Sequence, residues 1–178
     1  MSLLTNISNV KLNKLLSKVD SRVVRYIPIS QAMEIGFVAD ISDESLYNQS
    51  IKLAQQFISE GKKVAIIYYF AGKDLPIYCT SEEFVIRKAD TNFWGIPNNK
   101  AVNEFIEKSF DYLIDFSHSD SFVIKYIFSL SKAKLKVSSS DLETSKYSDI
   151  KFALNKEAKA TEYIEAIYAY LTIKSIQE

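Results

Sequence analysis

The fold is decided by two stretches that read almost alike: residues 36–45, GFVADISDES, and residues 111–121, DYLIDFSHSDS. Each is a short apolar run that ends in Asp, an apolar residue and Ser, and then leads into a helix-like stretch. A buried parallel strand that passes directly into a helix has this pattern. The pattern places the carboxylates of Asp40 and Asp115 at strand ends. Ligands of open α/β sheets usually bind at the carboxyl ends of strands, near the point where the strand order reverses.

The rest of the chain alternates between strand and helix patterns. Apolar runs predict further strands at residues 64–70, 84–86 and 135–137, and residues 150–154 alternate like a half-exposed edge strand. Helical spacing of apolar residues predicts helices at 6–19, from Ser42 or Asp43 to Gly61, at 99–108, at 122–130 and from Thr161 onward. Residues 21–30 fit either an edge strand or an extended lead-in, and residues 138–148 read as a loop.

This alternation predicts an α/β fold. We expect one three-layer, Rossmann-like domain over residues 1–178, with a mostly parallel sheet of five or six strands and helices on both faces. The helix within residues 1–20 is expected to pack on that domain. If the strand order is 3-2-1-4-5-6, as in the dinucleotide-binding fold, the strands of Asp40 and Asp115 are neighbours.

Composition excludes some partners. The 22 basic residues balance the 22 acidic ones, so no net charge draws the chain to nucleic acid or an anionic membrane. Cys79 is the only cysteine, which suits a reducing compartment. The chain has no signal-peptide pattern at its start and no apolar run long enough to span a bilayer. We therefore expect a soluble, cytoplasmic protein.

Glycine is scarce, with four residues in 178. Phosphate-binding loops need clustered glycines so that backbone N–H groups can approach the anion. Gly36, Gly61, Gly72 and Gly95 are dispersed, so neither a dinucleotide fingerprint nor a Walker loop is present. No cofactor is predicted.

The two strand-end carboxylates are the first site candidates. Asp40 and Asp115 could form an acid/base pair or hold a divalent cation such as Mg²⁺, because hard cations prefer carboxylate oxygens. Alternatively, each acid only interacts favourably with the positive end of the helix that follows it.

Three polar residues lie beside these carboxylates. Ser42 and Ser117 are ligand-binding candidates, although the simplest interpretation is that both are helix N-caps. Neither lies in a G-x-S-x-G elbow, which argues against a nucleophile. His118, the only histidine, belongs to the residue type that most often acts as a general acid or base, but loop histidines are usually just solvated.

Aromatic and basic residues offer further candidates. Tyr69 and its neighbours, together with Phe93 and Trp94, could form a stacking platform for a base or a sugar, or could simply pack. Lys132, Lys134 and Lys136 alternate along a short strand and could meet an anion, although a solvated face is the simpler interpretation. The helix at 122–130 is so apolar that it needs cover from another helix or from a second subunit, so a homodimer is one expectation.

Three segments carry a resemblance to a family: Asn92-Phe93-Trp94-Gly95-Ile96-Pro97, Phe110-Asp111-Tyr112-Leu113-Ile114-Asp115, and Leu130-Ser131-Lys132-Ala133-Lys134-Leu135-Lys136-Val137. They resemble a family of uncharacterised small α/β proteins from Bacteroidota, a domain of unknown function. The resemblance extends over most of the chain after about residue 20. It implies a fold and a cellular setting, and no site.

Residues 111–137 are also similar to the N-terminal Rossmann-like half of heptosyltransferase-type glycosyltransferases. Ser138 stands where those enzymes usually have glycine, and the chain has no room for their second, donor-binding domain. This likeness implies shared architecture more than transferase chemistry.

Two functional hypotheses follow. The first is a non-catalytic binding or protein-association module, since phosphate loops and a paired nucleophile and base are missing. The second is a small metal-assisted hydrolase, or a glycosyltransferase-like remnant, that uses Asp40 and Asp115 with Mg²⁺ and has His118 as a further candidate.

Overall fold

The computed structural model describes residues 3–17, 22–41, 44–72, 74–76, 78–79, 84–153 and 160–173. The helices in these ranges are α1 (Leu3–Leu16), α2 (Glu44–Ser59), α3 (Lys100–Glu107), α4 (Phe122–Leu130) and α5 (Ala160–Ile173). The strands are β1 (Glu34–Asp40), β2 (Lys63–Phe70), β3 (Phe84–Arg87), β4 (Tyr112–Asp115), β5 (Leu135–Ser139) and β6 (Ile150–Phe152). Two 3₁₀ helices span Lys88–Asp90 and Glu143–Tyr147.

All six strands form one parallel sheet. The order is β3-β2-β1-β4-β5-β6, and every neighbouring pair is parallel. This confirms the predicted α/β class. The observed order is the one assumed by analogy with the dinucleotide-binding fold, and the last strand also runs parallel. Parallel neighbours need a crossover connection, and this is why helices lie on both faces. The order reverses between β1 and β4, the two strands that end in Asp40 and Asp115.

Strand alternation divides the core into two layers. Phe37 and Tyr112 point to one face, where they pack with Phe57 of α2 and with α5. Val38 and Leu113 point to the opposite face, which α1, α3 and α4 cover. Successive side chains of a strand point to opposite faces, so both faces of each central strand can be apolar only when helices cover both.

The apolar helix α4 is covered within the chain. Eight of its nine residues are buried. Lys125 is among them, and its ammonium donates to Oδ1 of Asn9 in α1 at 2.6 Å and pairs with Glu143 of the second 3₁₀ helix. The sheet, α1, α3 and this 3₁₀ helix therefore cover α4, which does not present an exposed apolar face for a second subunit. None of the described helices is both long and apolar enough to cross a bilayer.

The prediction that Lys132, Lys134 and Lys136 form one solvated face is wrong. Lys136 is 2% exposed and points from β5 toward α4, where its Nζ donates to the carbonyl of Ser129 at 2.8 Å. Lys132 and Lys134 precede β5, and they pair with Glu107 and with Asp111. The strand begins only at Leu135, so the alternation across 132–136 does not define one solvated strand face.

The structure also decides the conformation of the segment before β1 and of the predicted loop at residues 138–148. Residues 22–28 are a lead-in rather than a strand, and a turn at 29–31 connects them to β1. They run past the amino ends of the strands, where Tyr112 donates to the carbonyl of Ile27 at 2.5 Å. The predicted loop at 138–148 contains the end of β5 and the Glu143–Tyr147 helix. That helix packs against α4 and is part of the structural core.

Candidate functional site

Asp40 and Asp115 lie at the same edge and on the same face of the sheet. Each is the last residue of its strand, and the register places Val38 of β1 opposite Asp115 of β4. Because Asp40 is two residues beyond Val38, both carboxylates point to the face that carries α4. Strand spacing and rise separate their Cα atoms by about 8 Å. The tertiary structure therefore brings both acids to the point where the strand order reverses.

Asp115 is turned into the protein. Its side chain is fully buried, Oδ1 accepts the backbone N–H of Ser117 at 2.9 Å, and Oδ2 accepts the hydroxyl of Thr144 at 2.7 Å. Burial raises the pKa of Asp115 to about 6, although the hydrogen bonds from Ser117 and Thr144 lower it. Since internal donors occupy both oxygens, this carboxylate holds the sheet edge together and is not open to a substrate.

Ser117 joins the ends of the two strands. Its hydroxyl oxygen accepts the backbone N–H of Asp40 at 3.1 Å, and its side chain also hydrogen-bonds Asp115. The N-cap of α4 is Ser121, whose hydroxyl accepts from the N–H of Ile124. The predicted N-cap role of Ser117 is therefore wrong, because the helix begins one turn later. Ser42, the matching candidate, lies outside the described residues.

His118 lies on the exposed loop between β4 and α4. In the same loop, Asp120 accepts the backbone N–H of Glu143 at 2.6 Å. No group of three His, Cys, Asp or Glu side chains is placed to hold a metal ion within the described residues. Asp40 and Asp115 thus come near each other without a third ligand there.

An open groove lies at the carboxyl edge of the sheet, on the same face as the two acids. Its volume is about 250 Å³. It is lined by Ser8, Tyr69, Lys88, Thr91, Asn92, Phe93, Trp94, Gly95, Phe122 and Val123. The lining combines the carboxyl end of β2, the turn after β3 and the start of α4. The candidates Tyr69 and Trp94, 25 residues apart in the chain, meet in this groove.

A hydrogen-bonded turn holds Trp94 in place. Oδ1 of Asn92 accepts the backbone N–H groups of Trp94 at 2.9 Å and Ile96 at 3.2 Å. Gly95 has a φ of +70°, which a residue with a side chain adopts only with strain. From α1, Ser8 donates to the carbonyl of Trp94 at 2.8 Å. The turn is thus preorganised and does not need a ligand to order it.

The indole of Trp94 has one face covered. Lys11 Nζ lies 3.8 Å from the ring centroid, in a cation–π contact, and Lys11 does not line the groove. Phe93 packs edge-on against Trp94 with centroids 5.2 Å apart, yet it remains 76% exposed. The groove therefore meets the part of the indole that Lys11 leaves uncovered, next to an exposed phenyl ring.

Tyr69 lies between an acidic and a basic side chain. In the sheet, Asp40 of β1 pairs with Tyr69 on one side, and Ile86 of β3 pairs with it on the other. Lys88 follows β3 directly and lines the groove. Burial raises the pKa of Tyr69, and the Asp40 carboxylate raises it further. The phenol therefore stays protonated at neutral pH and can donate a hydrogen bond.

Several groove residues carry no sequence signal of a site. Asn92 and Gly95 predict only a turn, because Asn side chains hydrogen-bond the nearby backbone and Gly supplies positive φ. Lys88, Phe122 and Ser8 reach the groove from three separate elements, and no local pattern connects them.

The sheet order and the three layers define an α/β protein of Rossmann-like architecture, with an aromatic groove at the carboxyl edge of its sheet. The chain belongs to the family of unknown function DUF6913, whose model matches residues 5–173. No curated protein and no solved structure matches it. Family membership therefore agrees with the resemblance to an uncharacterised family and adds no activity. The link to Bacteroidota and the likeness to heptosyltransferases stay predictions.

Proposed function

We propose that this protein is a non-catalytic binding module that holds a small ring-shaped molecule, such as a sugar or a nucleobase, in the aromatic groove. The observation that carries this proposal is the convergence of Tyr69, Trp94, Phe93 and Phe122 on one groove at the carboxyl edge of the sheet. Stacking of a ring on an aromatic side chain contributes about 1–3 kcal/mol and tolerates many ring types. A groove of about 250 Å³ is close to the lower end of ligand-site volumes, so it suits a single ring system.

The titratable groups of the groove support binding over catalysis. On the lining these are Tyr69 and Lys88, and no carboxylate or imidazole is among the lining residues that the structure describes. Asp115 is buried and hydrogen-bonded, and His118 is outside the lining. A general acid or base must reach the proton that it transfers, directly or through one water.

Trp94 makes the proposal directly testable, because it is the only tryptophan in the chain. We expect sugars and nucleosides in a screening panel to change its fluorescence. Saturation at about one hundred times the dissociation constant should add roughly 2.7 kcal/mol to the free energy of unfolding. If no ring compound alters either the fluorescence or the melting temperature, the proposal is wrong.

The turn offers a variant with a matched control. Asn92→Ala removes the acceptor of two backbone N–H groups, so it should loosen the Trp94 turn. Each lost hydrogen bond contributes about 1 kcal/mol, so ring binding should weaken by up to about thirtyfold. Asn103→Ala, at an exposed position of α3, should leave the affinity unchanged.

The alternative function is a small metal-assisted hydrolase, or a glycosyltransferase-like remnant, that uses Asp40 and Asp115 with Mg²⁺. The nearness of the two acids at one sheet edge favours it. The burial of Asp115 and the occupation of both its oxygens count against it. Stabilisation by Mg²⁺ in the wild type, lost in Asp40→Asn, would support this alternative, and an unchanged melting temperature would argue against it.

We further propose that the protein is soluble and works in the cytoplasm, without nucleic-acid or membrane partners and without a resident cofactor. Its balanced charge and single cysteine support this setting. A homodimer would use a face other than the buried helix α4. Sedimentation at high protein concentration tests the dimer, and a strict monomer would remove it.

A further inference from the structure

We propose that the ring held in the groove carries an anionic group, a phosphate, at the end of the groove where Lys88 lies. This inference rests on the proposed ring-binding function and adds the chemical class of the ligand.

The strand order places opposite charges on the two sides of Tyr69. Asp40 lies on the β1 side of Tyr69, and Lys88 lies on the β3 side, beyond the end of the neighbouring strand. A negative group on the ligand is repelled at the Asp40 side and attracted at the Lys88 side. A ring in contact with Tyr69 therefore has one favourable direction for an anionic substituent.

Lys88 is available for such a group. The adjacent Arg87 pairs with Asp90 at 3.7 Å, whereas Lys88 has no carboxylate partner among the described residues. Its exposed ammonium lines the groove and can approach a ligand without giving up an existing ion pair. A hydrogen bond between two charged partners is about twice as strong as a neutral one.

The ammonium of Lys11 and the dipole of α4 also favour a negative group at this groove. The ammonium of Lys11 lies on the Trp94 ring, so it adds positive potential next to the groove. Phe122 and Val123 are the first two residues of α4 and line the groove, so the positive end of that helix dipole faces the same region. Within the described lining these positive contributions meet no opposing carboxylate.

The same chemistry fits a nucleoside monophosphate and a sugar phosphate. Each ligand type can be tested with a matched pair of a neutral and a charged compound. The pairs are adenosine with adenosine monophosphate, and glucose with glucose 6-phosphate. Trp94 fluorescence reports binding at low and at moderate salt. We expect the phosphorylated member of at least one pair to bind about tenfold more tightly, and this preference should shrink as salt increases.

Lys88→Gln identifies the residue responsible. It should abolish the preference for the phosphorylated ligand, so that the neutral and the phosphorylated member of each pair bind with similar affinity. Lys151→Gln, an equal charge change at an exposed position of the edge strand β6, should alter neither affinity. Melting curves of both variants exclude loss of the fold as the cause.

The outcomes separate the two proposals. If no ring compound binds, the ring-binding function itself is wrong. If neutral and phosphorylated rings bind equally well, ring binding stands and the anionic group is refuted. A charge preference that survives in Lys88→Gln refutes the assignment to Lys88. The pair that shows the preference identifies the source of the phosphate.

Discussion

The hydroxyl of Thr144 donates a 2.7 Å hydrogen bond to Oδ2 of Asp115. Thr144 belongs to the 3₁₀ helix after β5, and Asp115 ends β4, so the bond fastens this helix over the carboxyl end of its neighbouring strand. At Asp115, the crevice where ligands of related folds bind is filled by the chain itself. The aromatic groove lies instead above β2 and β3.

Thr144→Val tests how much the hydrogen bond between Thr144 and Asp115 contributes to stability. Valine keeps the shape of threonine but leaves Oδ2 of Asp115 buried without its donor. We expect a loss of about 1–3 kcal/mol in the free energy of unfolding at neutral pH, measured by urea denaturation. Thr172→Val, which removes a hydroxyl bonded to a helix carbonyl in α5, should cost clearly less. Equal costs for the two variants would contradict the role given to Thr144.

Asp115 should make stability depend on pH. Burial raises its pKa from 3.8 to about 6, so the folded state binds more protons than the unfolded state in this window. The contribution of Asp115 to stability is therefore complete below about pH 4, falls as the pH rises to about 6, and stays low above it. The shift corresponds to a cost of about 3 kcal/mol at neutral pH.

Asp115→Asn removes this titration. Relative to the wild type, the variant should gain stability between pH 4 and pH 7, by about 2–3 kcal/mol across the window. Urea denaturation at a series of pH values measures the difference. Parallel stability curves for the two proteins would show that Asp115 does not titrate in this range.

Lys136 should produce the opposite trend at higher pH. Burial lowers its pKa from 10.5 to about 7, and the nearby Arg22 cation acts in the same direction. Between pH 7 and pH 10 the folded state binds fewer protons than the unfolded state, so the contribution of Lys136 to stability rises with pH. At pH 7 and below, the cost of the buried ammonium is fully present.

Lys136→Met should therefore stabilise the protein most at about pH 6.5. We expect a gain of about 2–4 kcal/mol after the loss of the hydrogen bond to Ser129, and a smaller gain at pH 9.5. Lys151→Met on the exposed edge strand should change stability by less than about 0.5 kcal/mol at either pH. A destabilised Lys136→Met protein at pH 6.5 would contradict the cost assigned to the buried ammonium.

Gly95 connects the turn to the groove, and Gly61 provides its control. Both have positive φ, +70° for Gly95 and +84° for Gly61, so alanine at either position should cost about 1–2 kcal/mol. A Cβ at Gly95 would lie 3.2 Å from the Phe122 ring, whereas a Cβ at Gly61 meets nothing within 4 Å. Only Gly95→Ala should also weaken ring binding, as measured by Trp94 fluorescence. Equal affinities of the two variants would mean that the ligand does not use this wall of the groove.

The two similar stretches at residues 36–45 and 111–121 were enough to predict the fold class and the positions of Asp40 and Asp115 at strand ends. These predictions depend on local periodicity, which an apolar strand or an amphipathic helix carries in its own residues. The bounds predicted for α4 match Phe122–Leu130, because the apolar run itself is long and has few polar breaks. Candidate aromatic residues could also be named, since large rings are conspicuous in any sequence.

The sequence by itself determined the elements of this protein, their order along the chain and the parallel sheet that they form. Only the tertiary structure decided that Asp115 and Lys136 are buried and that Tyr69, Lys88 and Trp94 line one groove. Local periodicity depends on neighbours a few residues apart. Burial, pKa and the convergence of side chains depend on which distant elements pack together, and here these are α4, the Glu143–Tyr147 helix and the turn after β3.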